Sequence, residues 1–121
     1  MKNNKVWKHT LIIVQTIVGI LFLLAGAAKF LAAEMWIKKF SQWHYPDNFY
    51  LLVGFVEIVA AILLFVPKLS RYAITTLIVI MIGAVLTHVY HQEATEIFRP
   101  GIYLVLLSAI IFLKRKANNA Q

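Results

Sequence analysis

Four long apolar segments dominate this chain and leave little of it for any other structure. They cover residues 11 to 33, 49 to 66, 72 to 90 and 97 to 113 of a chain of 121 residues. A helix needs about 20 apolar residues to cross the hydrocarbon core of a bilayer, with a range of about 17 to 25. All four segments reach that range, the second and fourth only just. The sequence therefore predicts an all-α fold: a four-helix transmembrane bundle of antiparallel up-down hairpins, in one integral membrane domain covering residues 1–121.

The composition agrees with a lipid environment. Hydrophobic residues make up 61% of the chain and charged residues 14%, whereas soluble domains have about 45 to 50% apolar and about 25% charged residues. Cysteine is absent, so the chain alone cannot form a disulfide, a thiolate nucleophile or an iron–sulfur cluster. This absence excludes membrane thiol oxidoreductases that rely on their own cysteines.

The net charge of +7 would suggest a nucleic-acid or anionic partner in a soluble protein, but here its distribution indicates topology. Basic residues precede the first segment, fall in the second connection and follow the last segment: Lys2, Lys5, Lys8, Lys68, Arg71, Lys114, Arg115 and Lys116. These residues share one side of the membrane if four helices alternate in direction. The positive-inside rule then predicts that both termini are cytoplasmic. We expect a multi-pass protein of the plasma (inner) membrane, with no nucleic-acid partner.

A different pattern separates the first two spans. Between residues 34 and 45, aromatic and apolar residues recur at helical spacing opposite polar ones, which predicts a short amphipathic helix in the membrane interface. Trp36, Phe40, Trp43 and Tyr45 are its aromatic members. They can serve as a plain interfacial anchor, or they can line a ligand site as a lid over a cavity.

Glu57 lies close to the middle of the second apolar segment. A carboxylate at that depth costs roughly 2.5 to 3.5 kcal/mol on insertion scales, so it should face the bundle interior and have a partner. Lys29 and His88, near the ends of two other segments, are candidate partners for an intramembrane polar cluster. The alternative is a protonated Glu57 that is hydrogen-bonded to a neighbouring helix, with Lys29 and His88 turned toward the headgroups.

The remaining motifs do not indicate a metal or a catalytic centre. The spacing His88-x-x-His91 places two imidazoles on one helical face, but no third ligand has a fixed spacing, so no metal site is predicted. Haem ligation needs histidines that face each other from two helices, and only His88 is clearly within a span. Catalytic residues cannot be assigned from the sequence.

Several short motifs resemble one family. They are Gly26-Ala-Ala-Lys29-Phe30 at the end of the first span, Gly54-Phe-Val-Glu57 in the second, Pro46 and Pro67 around that span, and Met81-Ile-Gly-Ala84 in the third. The chain resembles DoxX-like proteins over nearly its whole length. The resemblance implies a compact four-helix membrane bundle, usually bacterial, with Lys29 and Glu57 at polar positions of the family. Some members are described as small subunits of a thiosulfate:quinone oxidoreductase or as partners in redox-linked complexes, and distant animal relatives assist receptor assembly.

Together these observations favour an accessory or assembly subunit that is not an enzyme on its own. We expect it to have a polar intramembrane cavity open to the outer leaflet, and membrane lipids, further copies of itself or a larger membrane complex as partners. A small subunit of a quinone-linked oxidoreductase is the first alternative, with Lys29, Glu57 and His88 forming a pocket for a lipophilic ligand. Quinone or lipid is the possible cofactor. A small transporter is the second alternative.

Overall fold

The computed structural model describes the backbone of residues 2–119 and the side chains of residues 5–117, and Met1, Gln121 and the side chain of Lys2 lie outside them. The described chain is all-helical, as the sequence predicts. Its helices are α1 (Lys2–Leu31), α2 (Ala33–Gln42), α3 (Phe49–Leu63), α4 (Ser70–Tyr90) and α5 (Phe98–Asn119). A 3-10 helix, Ala94–Ile97, precedes α5.

Three segments are long and apolar enough to cross a membrane: Lys5–Leu31, Ser70–Tyr90 and Ala94–Ala117. Helix α3 is also apolar, but it has 15 residues. At 1.5 Å per residue it is about 22 Å long, which is less than the ~30 Å thickness of a typical hydrocarbon core. By length and composition, the helices of the first, third and fourth predicted spans can therefore cross a membrane. The helix of the second predicted span, α3, is shorter than a typical hydrocarbon core is thick.

Helix α3 ends three residues before the predicted end of the second span at residue 66. The cause is Pro67, which has no N–H to donate and which disfavours the α conformation of Val66. The amides of Phe65 and Val66 bond to the carbonyls of Ile62 and Leu63, three residues earlier, at 3.2 and 3.0 Å. The chain thus leaves the helix through a tightened turn.

Helix α1 also ends early, at Leu31, two residues before the predicted end of the first span at residue 33. Ala32, with φ −111° and ψ 46°, lies outside the helical region and separates α1 from α2. Helix α2 therefore begins at Ala33 as a separate helix, which is the short helix expected between the first two spans.

The four longer helices pack side by side. Helix α1 contacts α3 and α5, and α4 contacts the same two helices. The core between them consists of buried apolar side chains, among them Val18, Phe22, Ala61, Leu64, Leu77, Leu107 and Ile110. Other apolar side chains point outward, including Leu24, Phe55, Val79 and Val105, each at least 60% exposed. An apolar exterior of this kind suits lipid contact.

Helices α1 and α3 run in opposite directions along their contact. Near the middle of α1, the Gln15 side chain donates a hydrogen bond to the Leu64 carbonyl just after α3. Near the end of α1, Gly26 lies against Gly54 in the first half of α3. This order places the end of α1, which carries Lys29, beside the part of α3 that carries Glu57.

Candidate functional site

Lys29 and Glu57 meet inside the packed helices. Lys29 Nζ lies 2.6 Å from Glu57 Oε1, and the two side chains are 7% and 2% exposed. The ammonium group is also 3.5 Å from the Ala25 carbonyl, one turn earlier in α1. Burial of either charge alone would be costly, so this contact provides the partner that a carboxylate at this position needs.

Two glycines bring the backbones of α1 and α3 close enough for this contact. A Cβ atom on Gly26 would lie 2.7 Å from the Gly54 carbonyl oxygen and 2.6 Å from Ile58 Cγ1. A Cβ on Gly54 would lie 3.0 Å from Lys29 Cβ and 3.1 Å from the Gly26 carbonyl oxygen. Only glycine fits such an approach without displacing its neighbours.

Side-chain direction completes the geometry. Lys29 and Glu57 each follow their glycine by three residues, Gly26 and Gly54 respectively. Helical side chains lean toward the N-terminus of their own helix. Because α1 and α3 run in opposite directions, both side chains lean back toward the glycine contact and meet there.

Trp36 of α2 covers the ion pair. Lys29 Nζ lies 4.3 Å from the centroid of the Trp36 ring, and Lys39 Nζ lies 5.0 Å from the same centroid. These are cation–π distances. The indole Nε1 of Trp36 is buried and has no hydrogen-bond partner among the described residues. A buried donor without an acceptor is unusual in a native structure.

An aromatic cluster extends from Trp36 across the end of α2. Phe40 is its centre, 7% exposed, with ring centroids 6.1 Å from Trp36, 5.3 Å from Trp43 and 5.5 Å from Tyr45. The cluster thus includes all four aromatic residues that the sequence nominates as lid or ligand residues. It connects the Lys29 side of the molecule with the end of α4, where Trp43 packs edge-on against His88 at 5.4 Å.

Both α2 and α4 end in Schellman motifs, and these motifs position the polar contacts beside the cluster. In each, one residue adopts positive φ: His44 at 64° and Gln92 at 59°. The amides of the next residues then bond back into the helix, Tyr45 to the Phe40 carbonyl at 3.0 Å and Glu93 to the His88 carbonyl at 2.8 Å. This is the 6→1 hydrogen bond of that motif. Tyr45 and Glu93 consequently fold back against their own helices.

The polar partner of His88 is Glu93. Glu93 Oε1 accepts hydrogen bonds from His88 Nδ1 at 2.9 Å and from Trp43 Nε1 at 3.0 Å. The hydrogen bond from His88 holds the pKa of the Glu93 carboxyl below its usual value, and that from Trp43 acts in the same direction. A second hydrogen bond joins the hydroxyl groups of Tyr45 and Thr87. We call the Trp43–Glu93 and Tyr45–Thr87 hydrogen bonds the latch, since they join the end of α2 to α4 and to the turn that follows it.

The structure thus places the predicted polar residues in two groups. Lys29 and Glu57 are in contact, whereas His88 is bonded to Glu93 at the other end of the aromatic cluster. The sequence reading missed Glu93 as the partner of His88. The five-residue separation brings them together only through the Schellman turn, and neither that turn nor the one at His44 contains the glycine that usually marks it.

Two grooves lie on the surface of the described part of the chain. One, of about 580 Å³, lies beside the latch and is lined by Trp43, Tyr45, Gly83, Leu86, Thr87, Val89, Tyr90 and His91. The other, of about 420 Å³, follows the start of α5 and is lined by Ile97, Phe98, Gly101, Ile102, Val105 and Leu106. Neither groove is lined by Lys29 or Glu57, so the buried ion pair is enclosed rather than open to these grooves.

The comparisons with known proteins agree with the resemblance. The family model described as the DoxX-like family matches residues 13–110, which include α3, α4 and both residues of the ion pair. Searches of curated proteins and of solved structures gave no match. The match covers most of the chain. The chain belongs to the DoxX-like family.

Proposed function

We propose that this protein is an accessory or assembly subunit of the plasma (inner) membrane, without a catalytic activity of its own. The observation that carries the proposal is the ion pair of Lys29 and Glu57, in which the two buried charged groups neutralise each other at 2.6 Å. A catalytic acid or base needs a group that can reach its substrate. Both members of this pair are instead buried between α1 and α3, and Trp36 covers Lys29.

In this proposal α1, α3, α4 and α5 all cross the membrane, in alternating directions, with both termini in the cytoplasm. Apolar residues that follow α3, Leu64 to Val66, extend its short apolar length, and a short segment can be accommodated by local thinning of the bilayer. The basic segments at the start of α1, around the connection between α3 and α4, and at the end of α5 support the orientation.

Cysteine labelling tests this topology cleanly, because the natural chain contains no cysteine. With Ala94→Cys, a membrane-impermeant reagent should label intact cells. With Asn118→Cys, labelling should require permeabilised cells. The opposite pattern, or external labelling of both variants, would contradict the proposed orientation.

A second candidate function, binding of a lipophilic ligand such as a quinone, is favoured by one specific observation. The buried Trp36 Nε1 has no acceptor among the described residues, and it lies in the cover directly over Lys29. A carbonyl oxygen of a ligand that accepted a hydrogen bond from the indole N–H would satisfy that donor. This candidate also requires that the site open toward the outer leaflet for the ligand to enter.

Mass spectrometry of lipid extracts from the purified protein separates the two candidates. An accessory subunit should carry ordinary membrane lipids only. A ligand-binding subunit should carry a stoichiometric quinone-sized molecule that Glu57→Ala and Trp36→Phe both displace. The matched control is Trp7→Phe, which removes an indole that packs on Phe112 in another part of the molecule. If the wild-type protein and Trp7→Phe retain the ligand while Glu57→Ala and Trp36→Phe lose it, the result supports the second candidate and contradicts the first.

A further inference from the structure

Three basic segments that are far apart in sequence meet at one end of the molecule. Trp7 near the start of α1 packs on Phe112 near the end of α5, with ring centroids 6.1 Å apart. Lys114 of α5 donates a hydrogen bond to the Ser70 hydroxyl at the start of α4. These contacts gather seven basic side chains, which we call the basic end: Lys5, Lys8, Lys68, Arg71, Lys114, Arg115 and Lys116.

The basic end has no acidic residue to balance it. The chain has five acidic residues: Glu34, Asp47, Glu57, Glu93 and Glu96. Glu57 is paired with Lys29 inside the helices, and the other four are in or near α2 and the connection before α5. Among the described side chains, none of the seven basic ones forms an ion pair with a carboxylate. Six of them are exposed, and Lys114 is half-buried.

The depth of these charges relative to the apolar helices indicates their partner. Lys68 directly follows Pro67 after the apolar part of α3, and Lys114 directly follows the buried Leu113 of α5. Arg71 lies over the ring of Tyr72, 5.6 Å from its centroid. Basic groups next to the end of a spanning helix lie at the level of the lipid headgroups, where interfacial aromatic rings also lie.

We propose that the basic end binds the phosphate groups of anionic phospholipids. Uncompensated positive charge at headgroup depth attracts an anionic leaflet, and phosphate oxygens supply the acceptors that exposed lysine and arginine groups need. An acidic protein segment offers similar charge. The lipid is favoured because headgroups already surround a spanning helix at this depth. The proposal requires only that the helices span a membrane, and it is independent of the accessory role and of which leaflet is cytoplasmic.

The test compares two variants that each remove two exposed positive charges. Lys68→Gln with Arg115→Gln lowers the charge of the basic end. Lys38→Gln with Arg99→Gln lowers the charge at the opposite end by the same amount. Each protein is placed in bilayers of phosphatidylcholine with a minor fraction of phosphatidylglycerol. Native mass spectrometry then measures which lipid stays bound after mild detergent extraction.

The wild-type protein and the opposite-end variant should both retain phosphatidylglycerol preferentially. The basic-end variant should lose this preference by on the order of tenfold, given the usual contribution of each basic residue near an anionic surface. Added salt should reduce the preference of the wild-type protein, because it screens exposed charges. This salt dependence tests the proposal even if the variant folds poorly.

One control separates the lipid from free phosphate. At constant ionic strength, inorganic phosphate at the concentration of the phosphatidylglycerol should not displace it, because the lipid phosphate is held at the surface by its acyl chains. Displacement would assign the site to free phosphate and overturn the lipid proposal. Equal lipid retention by both variants, or no preference in the wild-type protein, would also overturn it. None of these results depends on whether the chain is an accessory subunit.

Discussion

The strongest prediction concerns the coupling between Lys29 and Glu57. Lys29→Met leaves a carboxyl group that is 2% exposed without its cation, and Glu57→Leu leaves an ammonium group that is 7% exposed without its anion. Breaking a buried pair costs about 3 to 5 kcal/mol, whereas replacing both members by apolar residues is often close to neutral. Each single variant should therefore be much less stable than the wild-type protein, and the double variant should be more stable than either.

Unfolding in mixed micelles, by titration with a denaturing detergent, measures the four free energies of this cycle. The coupling energy should exceed about 1 kcal/mol, because the two groups are in direct contact. A matched control is available in Glu34 and Lys38, which are exposed and lie four residues apart in α2. An exposed pair of this spacing should couple by about 0.3 to 0.5 kcal/mol. Additive effects at Lys29 and Glu57, no larger than those of the control pair, would refute the reasoning.

Two further predictions concern the glycine contact and the latch. Gly54→Leu should lower stability more than Gly83→Leu, because a Cβ on Gly54 meets Lys29 Cβ at 3.0 Å whereas one on Gly83 meets no atom within 4 Å. Equal midpoints of thermal unfolding would contradict this. The lowered pKa of Glu93 means that its contribution to stability is complete above its unfolded pKa of about 4.3 and is lost as the pH falls through the lower folded value. The protection of α2 amides against hydrogen exchange, relative to their intrinsic exchange rates, should therefore fall on acidification below about pH 4. In Glu93→Gln the protection should lack this step, and an unchanged pH profile of protection in the variant would contradict the latch.

The sequence predicts the helices better than their ends. The apolar runs of α1, α4 and α5 are visible in the sequence because a spanning helix must be continuously apolar. The end of α3 is less visible, since Pro67 affects the backbone several residues before itself. The break at Ala32 has no such signal, because alanine is a good helix former.

The two polar groups show the same contrast. The contact of Lys29 with Glu57 follows from a general cost, since a carboxyl group in the middle of an apolar segment needs a partner and few cations are within reach. The contact of His88 with Glu93 depends instead on one backbone angle, the positive φ of Gln92. A glutamine gives little indication of that conformation. Local turns therefore limit the prediction of the site more than the electrostatics do.

The central claim is tested most directly by measuring whether the Glu57 side chain is charged. Infrared difference spectroscopy between the wild-type protein and Glu57→Gln reports whether the vibration lost is that of a carboxylate or of a protonated carboxylic acid. An enclosed ion pair, with Lys29 Nζ 2.6 Å away, predicts loss of carboxylate bands at neutral pH. Loss of a carboxylic-acid band would contradict the ion pair. A protonated Glu57 would instead provide a proton inside the membrane, as expected for a ligand-linked proton path rather than for a closed accessory subunit.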